Sequence, residues 1–196
     1  MKRVIEYVRI NLAKGEDKKV EKKLKSIYYE KFIDKSYCEK TLEIMTFVGC
    51  DFKKVDLTNV KFISCVFIDC KIDEVSLKDC VFDSCLFSEC KVSNLFGSES
   101  EIKKSNILYS TLFDFDFSDV FYKVESLVFS SCQVFSVFMN FANCTDVIFR
   151  STCVARSTLV GVSQEKLEEI FKTSSFAFDT ALDLIDEEKQ WNTYYF

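Results

Sequence analysis

The sequence predicts an all-β chain: a parallel β-helix of about six square coils, with short helical segments at both ends. Three observations predict it. Residues 50–94 repeat every five residues, each unit carries two apolar positions in a fixed order, and the same frame extends well beyond that stretch. A period of five fits neither an α-helix at 3.6 nor a flat strand at 2. Both apolar positions must still be buried. A chain that turns about 90° after each short strand buries them, so that four units close one coil of about 20 residues. Successive coils then stack as parallel strands roughly 4.8 Å apart. The central residue of each unit fills the axis, the leading residue points inward near the corner, and the other three face water.

Residues 1–37 precede the repeat. Val4, Val8 and Leu12 recur at every fourth position, and after Gly15 so do Val20, Leu24, Ile27, Tyr28 and Phe32, which predicts two short amphipathic helices. The first is also compatible with a strand. This segment carries 11 basic and 6 acidic residues. Its Lys/Glu interleaving (Glu16-Asp17-Lys18-Lys19-Val20-Glu21-Lys22-Lys23) describes a solvated helix face, so no direct nucleic-acid binding is expected. A cap is the expected role, because the end of a β-helix leaves strand edges and core open.

Residues 38–161 hold the repeat. The units run Cys50-Asp-Phe52-Lys-Lys, Val55-Asp-Leu57-Thr-Asn, Val60-Lys-Phe62-Ile-Ser, Cys65-Val-Phe67-Ile-Asp and Cys70-Lys-Ile72-Asp-Glu, and continue to Cys90/Val92. From Met45 to Val124 the frame holds for sixteen units, with centres from Phe47 to Tyr122. Gly97 alone among those centres lacks a large side chain, and an outward loop is expected over Gly97–Ser105. Two extra residues near Glu125 shift the frame. It resumes at Leu127/Phe129 and runs through Ala142/Cys144 to Ser157/Leu159.

These units resemble the pentapeptide repeat family, written A-(D/N)-L-x-x, with Val55-Asp56-Leu57 nearest to the pattern. Cys or Val stands for the usual Ala, and Phe often for Leu. The resemblance implies a right-handed quadrilateral β-helix, an interaction or scaffold role for a protein partner, and pairing of two copies through the C-terminal coils. Within the family, the quinolone-resistance group protects DNA gyrase and has been viewed as a mimic of the DNA duplex. That is the alternative function the resemblance offers.

Residues 162–196 follow. Ser163 suits the N-cap of a helix over Gln164–Phe171, and Phe178, Leu182 and Ile185 predict a second helix.

Composition excludes much chemistry. The chain has no His, so no imidazole base or ligand, and no catalytic pair or Gly-rich phosphate loop stands out. No catalytic, cofactor or metal site is expected. No apolar run reaches the roughly 18 residues of a membrane span. Six of the ten Cys (50, 65, 70, 80, 85, 90) occupy the leading, inward position. Buried free thiols suit a reducing compartment, so a cytoplasmic protein without disulfides is expected.

The outward positions supply the candidate surfaces. Val48, Val66, Ile68, Leu86, Leu108, Val128 and Ile148 form an apolar stripe along one face. Such a strip is not left wet, and this chain's own terminal helices, a second copy or another protein are the candidate covers. Phe113 and Phe135 are expected as outward neighbours on another face, with Phe138 and Phe141 on the next. Asp79, Glu99 and Asp119 stack as an acidic column with Asp56 and Asp116 beside it. Eleven basic residues nearly balance fifteen acidic ones over residues 45–161, so that column describes a solvated face more than a duplex mimic.

Overall fold

The computed structural model describes residues 25–177, 181–185 and 191–195. The chain winds through four walls of short parallel strands. The first wall has seven strands: Lys25–Tyr28, Met45–Val48, Val66–Ile68, Leu86–Ser88, Asn106–Leu108, Val128–Ser130 and Ile148–Arg150. Long strands such as Lys31–Cys38, Asp51–Thr58 and Gln133–Asn140 bend around a corner and serve the second and third walls in turn. The fourth wall runs from Thr41–Glu43 to Cys144–Thr145. Neighbouring strands pair residues twenty apart, as Phe47, Phe67 and Phe87 do.

The five-residue period sets the corners as well as the core. The last residue of each unit takes a left-handed backbone, as in Asn59 (φ 51°), Asp69 (52°) and Glu89 (58°). Among non-glycine residues Asn and Asp tolerate that conformation best, and together with Ser they hold many of these corners. Each corner is tied down along the column: the Asp69 amide donates to the Ser88 carbonyl at 2.9 Å.

Inside, the central side chains stack one coil above the next. Ring centroids are 4.9 Å apart for Phe47–Phe67, 4.7 Å for Phe67–Phe87, 4.8 Å for Phe62–Phe82 and 4.9 Å for Phe129–Phe149. These spacings are the strand spacing itself. The leading positions are buried too, and seven of the ten free cysteines lie there. The Cys70 thiol donates to the carbonyls of Ile68 and Phe47, at 3.4 and 3.5 Å. Where Ser replaces Cys, the hydroxyl takes over the polar duty. Ser100, Ser105 and Ser110 accept from the amides of Cys80, Cys85 and Cys90 at 3.0–3.1 Å. These buried hydroxyls are therefore satisfied.

Several expectations need correction. The coil begins earlier than residue 38: Ile27, Tyr28 and Phe32, assigned to an N-terminal helix, lie in the strands Lys25–Tyr28 and Lys31–Cys38. Pairing with the next coil decides this, since Ile27 and Phe32 sit in register with Phe47 and Phe52 and can join their stacks. The helix expected at Val4–Leu12 lies outside the described residues. No loop forms over Gly97–Ser105, where Phe96–Ser98 and Ser100–Lys103 are strands. Gly97 has φ 136°, and a Cβ there would stand 1.8 Å from the Leu77 carbonyl oxygen. The missing side chain thus lets two backbones approach.

The frame shift falls at residues 117–121 and not at Glu125. There a helical turn, α1 (Phe117–Val120), replaces a strand of the third wall. Asp116 caps it by accepting from the amides of Ser118 (2.8 Å) and Asp119 (3.0 Å). The turn packs beside Phe96–Ser98 and buries Phe117, which is 2% exposed, next to the centre that Gly97 leaves empty. The residues it consumes put Tyr122 outside, 47% exposed, while Phe121 and Val124 turn inward. One coil later a 3-10 turn, Phe141–Asn143, is capped by Asn140, and Phe141 also points into the core.

At the C-terminal end, α2 (Gln164–Thr173) forms as expected, with Ser163 accepting from the Lys166 amide at 3.2 Å. It packs beside Ile148–Arg150, at the end of the first wall. Leu182 and Ile185, expected in a helix, lie in the strand Ala181–Ile185, because the edge Thr158–Val162 offers a pairing partner. The strand Trp191–Tyr195 then pairs antiparallel with it. Phe178 lies outside the described residues.

Candidate interaction surface

Three outward surfaces hold the residues singled out in the sequence. The first wall presents the apolar stripe in two columns. Val66, Leu86, Val128 and Ile148 precede the inward centres, and Val48, Ile68 and Leu108 follow them. Position and exposure part company here. Ile68 (6% exposed), Leu86 (9%) and Ser88 (0%) face outward by register yet are buried, while the stripe's other members are half-buried. Only burial values could reveal this, since Ser88 reads in the sequence as a solvated position.

The second and third walls carry the aromatic patch. Phe113 and Phe135 are paired in register on the second wall, and Ala155 follows Phe135 in the column. All three face outward; both rings are half-buried and Ala155 is buried. Phe138 sits around the corner on the third wall, between Asp116 and Thr158. Phe141 is not part of this patch, because its capped turn aims it at Phe149, 6.3 Å away.

The acidic residues do not make one uninterrupted column. Asp79 and Glu99 occupy successive corners (φ 53° and 59°), but Asp119 lies on α1 and the Asp116 carboxylate is engaged as its cap. Asp56 accepts from the Ser36 hydroxyl at 3.3 Å and lines an open groove with Asp34, Lys54, Glu74 and Phe96. Sequence reasoning missed Tyr122, whose hydroxyl donates to Glu101 at 2.6 Å. That hydrogen bond, with burial and the charges of Glu101, Glu99 and Asp79, raises the Tyr122 pKa. Basic residues interleave: Lys53 lies 3.7 Å from both Asp73 and Glu74, and Lys103 3.6 Å from Asp83.

The interior offers little room for chemistry. An apolar void of about 70 Å3 runs among the ring stacks. Among the described residues, no group of three or more His, Cys, Asp or Glu is arranged to hold a metal ion. The cysteine thiols sit against carbonyls and other thiols. Burial raises the pKa of Cys80 and Cys132 and pushes Cys144 up to about 12. The neighbouring Cys65 thiol, together with burial, raises Cys85. Cys80, Cys85, Cys132 and Cys144, held neutral in this way, are poor nucleophiles, while Cys65, whose pKa the hydrogen bond with Cys85 lowers to about 7, is fully buried. Among the described residues, no helix is long and apolar enough to cross a membrane.

Residues 47–91 match the family model for pentapeptide repeats (9 copies). No curated protein matches the chain. Among solved structures, it is similar to full-length QnrB1, a plasmid-mediated fluoroquinolone resistance protein, at 17% identity and a TM-score of 0.34. That match covers 77% of this chain and 81% of QnrB1. It is also similar to HetL, a pentapeptide repeat protein involved in heterocyst differentiation regulation from the cyanobacterium Nostoc sp. strain PCC 7120. There the identity is 9% and the TM-score 0.24, over 81% of this chain and 80% of HetL. The five-residue units, their stacking at twenty-residue register and the family match agree: residues 47–91 are pentapeptide repeats.

Proposed function

We propose that this protein is a non-catalytic interaction module that pairs with a second copy of itself through the outward aromatics of its C-terminal coils. The observation that carries this reading is the patch of Phe113, Phe135 and Phe138. Further down the second wall the equivalent outward positions hold Asp51, Lys53, Lys71, Asp73 and Lys91, as a solvated wall should. The two phenylalanines break that pattern side by side, beside the small Ala155 and close to Phe138. Aromatic residues depleted of neighbouring charge characterise the cores of protein interfaces. The filled column supports the non-catalytic part, because a substrate site needs a cavity of several hundred Å3 with convergent polar groups.

Sedimentation or light scattering over a wide concentration range tests the pairing. The wild-type protein is expected to dimerise, and the double variant Phe113→Ser/Phe135→Ser to remain monomeric with unchanged circular dichroism. A wild-type protein that stays monomeric throughout, or a double variant that still pairs, would overturn the assignment. The duplex-mimic alternative is less well supported, since α1 interrupts the acidic column and lysines interleave with it. On our reading, adding the protein to a gyrase supercoiling assay, with or without a quinolone, leaves the reaction unchanged.

A further inference from the structure

We infer that the two copies lie side by side with their columns antiparallel, so that the partner's Arg156 enters the open groove beside Phe96. The geometry rests on the pairing proposed above and adds a second point of contact to it. The groove has a volume of about 630 Å3 and lies at the corner between the second and third walls, lined by Asp34, Lys54, Asp56, Glu74, Asn94 and Phe96. Phe96 is 52% exposed, although the outward positions in register with it along the third wall hold Ser76, Asp56 and Ser36. A bare ring beside carboxylates suits a guanidinium, which stacks on the ring and pairs with the acids.

The register selects the arginine. A corner residue follows each second-wall strand, and this edge climbs from Asp34 through Glu74, Asn94 and Asp114 to Arg156. Phe113 and Phe135 are one coil apart. Ser93 lies one coil before Phe113, and Ala155 one coil after Phe135. A two-fold axis crossing the second wall midway between the rings lays Phe113 on the partner's Phe135 and Ser93 on the partner's Ala155, an isologous contact. Ser93 and Ala155 are small and buried, at 5% and 1% exposed, so the two walls can close on each other there. The corner comes next in each chain, which brings the partner's Arg156 level with Asn94 and Phe96. Glu74 lies one coil further, roughly 4.8 Å away and within reach of an arginine side chain.

The charges favour this arrangement over its alternative. A two-fold axis running along the column would set each corner against its own copy, Asp114 on Asp114 and Arg156 on Arg156. Like charges placed opposite each other oppose association. In the antiparallel pair Asp114 meets the partner's Ser136, and Arg156 meets a groove with three carboxylates and one amine. The Asp56 carboxylate also accepts from the Ser36 hydroxyl at 3.3 Å, and Glu74 lies 3.7 Å from Lys53. Arg156 is exposed at its corner (φ 50°) and engages no carboxylate among the described residues. Each copy offers both an arginine and a groove, so the contact forms twice.

Cysteine cross-linking of the full-length chain tests the geometry. Arg156→Cys and Asn94→Cys are each placed in a Cys38→Ser/Cys153→Ser background and oxidised with copper–phenanthroline, at concentrations where light scattering shows each variant dimeric. A mixture of the two is expected to form covalent dimers, and neither variant alone. In the otherwise unaltered chain, Arg156→Glu is expected to raise the dimer dissociation constant at least about tenfold by sedimentation, with unchanged circular dichroism. Cross-linking of Arg156→Cys to itself would reveal parallel columns and overturn the inference while leaving the pairing intact. A mixture that stays uncrosslinked, or an Arg156→Glu variant that pairs as tightly as the wild type, would do the same. A wild-type protein that is monomeric throughout removes the pairing, and this geometry with it.

Discussion

Replacing Phe67 with Ala measures how far the central stack carries the fold. Phe67 is 3% exposed. Its ring stacks on Phe47 at 4.9 Å and on Phe87 at 4.7 Å. It also meets Phe52 at 6.2 Å and Phe62 at 5.7 Å, both edge-on. Removing a buried Phe costs about 3–5 kcal/mol, the spread reflecting how well the site can collapse. Collapse is limited here, because strands paired on both sides hold Val66–Ile68 at fixed spacing. Ring pairs add about 0.5–1.5 kcal/mol each beyond their area. The expected cost therefore lies at the top of the range, about 5 kcal/mol. Lys78→Ala, at an exposed position, should change stability by about 0.5 kcal/mol or less. Urea melts of both variants give the comparison through their midpoints at constant slope. Equal costs at the two positions would refute the assignment of Phe67 to the axis and with it the five-residue frame.

Three further outcomes are expected. Thiol counting on the native protein should find Cys38 reacting fast, slow or partial reaction at the half-buried Cys144 and Cys153, and the seven buried thiols silent until denaturant releases all ten; seven or more fast thiols in the folded protein would contradict the burial. Gly97→Ala should cost about 2 kcal/mol or more by thermal or urea melting, because the added Cβ meets backbone and the residue must keep φ 136°; a neutral substitution would show that the two strands can move apart. Hydrogen bonds from Asn94 and Ser93, with Lys53 nearby, hold the Asp73 carboxyl below its usual range. A depressed folded-state pKa contributes stability that is present above the unfolded value, about 3.9, and lost as pH falls through the folded one. Asp73→Asn should thus flatten the loss of stability below about pH 4, and an unchanged acid profile would sink that linkage.

The inward code was legible because it repeats and because burial enforces it. Phe47, Phe62, Phe67, Phe82 and Phe87 could be placed on the axis from spacing alone, and the cysteines at the corners with them. The frame failed where a local contact outweighed the period. Asp116 caps a turn that consumes residues 117–120, so Tyr122 leaves the core and Phe121 enters it. Asp followed by Ser and Asp was an available capping signal, but a regular apolar pattern on either side masked it. The same happened at Asn140, whose cap turned Phe141 inward. At the N-terminus, Ile27 and Phe32 fit helical spacings of three from Leu24 and four from Tyr28 as well as a solenoid spacing of five from one to the other. The next coil, offering Phe47 and Phe52 as stacking partners, decided between them.

The outer surface follows a different logic. An inward position has one neighbour set, fixed by the column, so its residue type is dictated. An outward position is free until something docks on it, and only departures from solubility carry information. Phe113 and Phe135 are such departures and were visible as sequence. Ser88 is the opposite case: a residue any solvated wall accepts, made informative only by its complete burial. A free outer wall is expected to carry polar residues whose hydroxyls face water, and the fourth wall, with Lys61, Asp83 and Lys103, does so. The first wall instead surrounds a buried serine with Ile68, Leu86 and Leu108. On the proposed reading, the aromatic second wall holds a second copy while the stacked core behind it is left undisturbed.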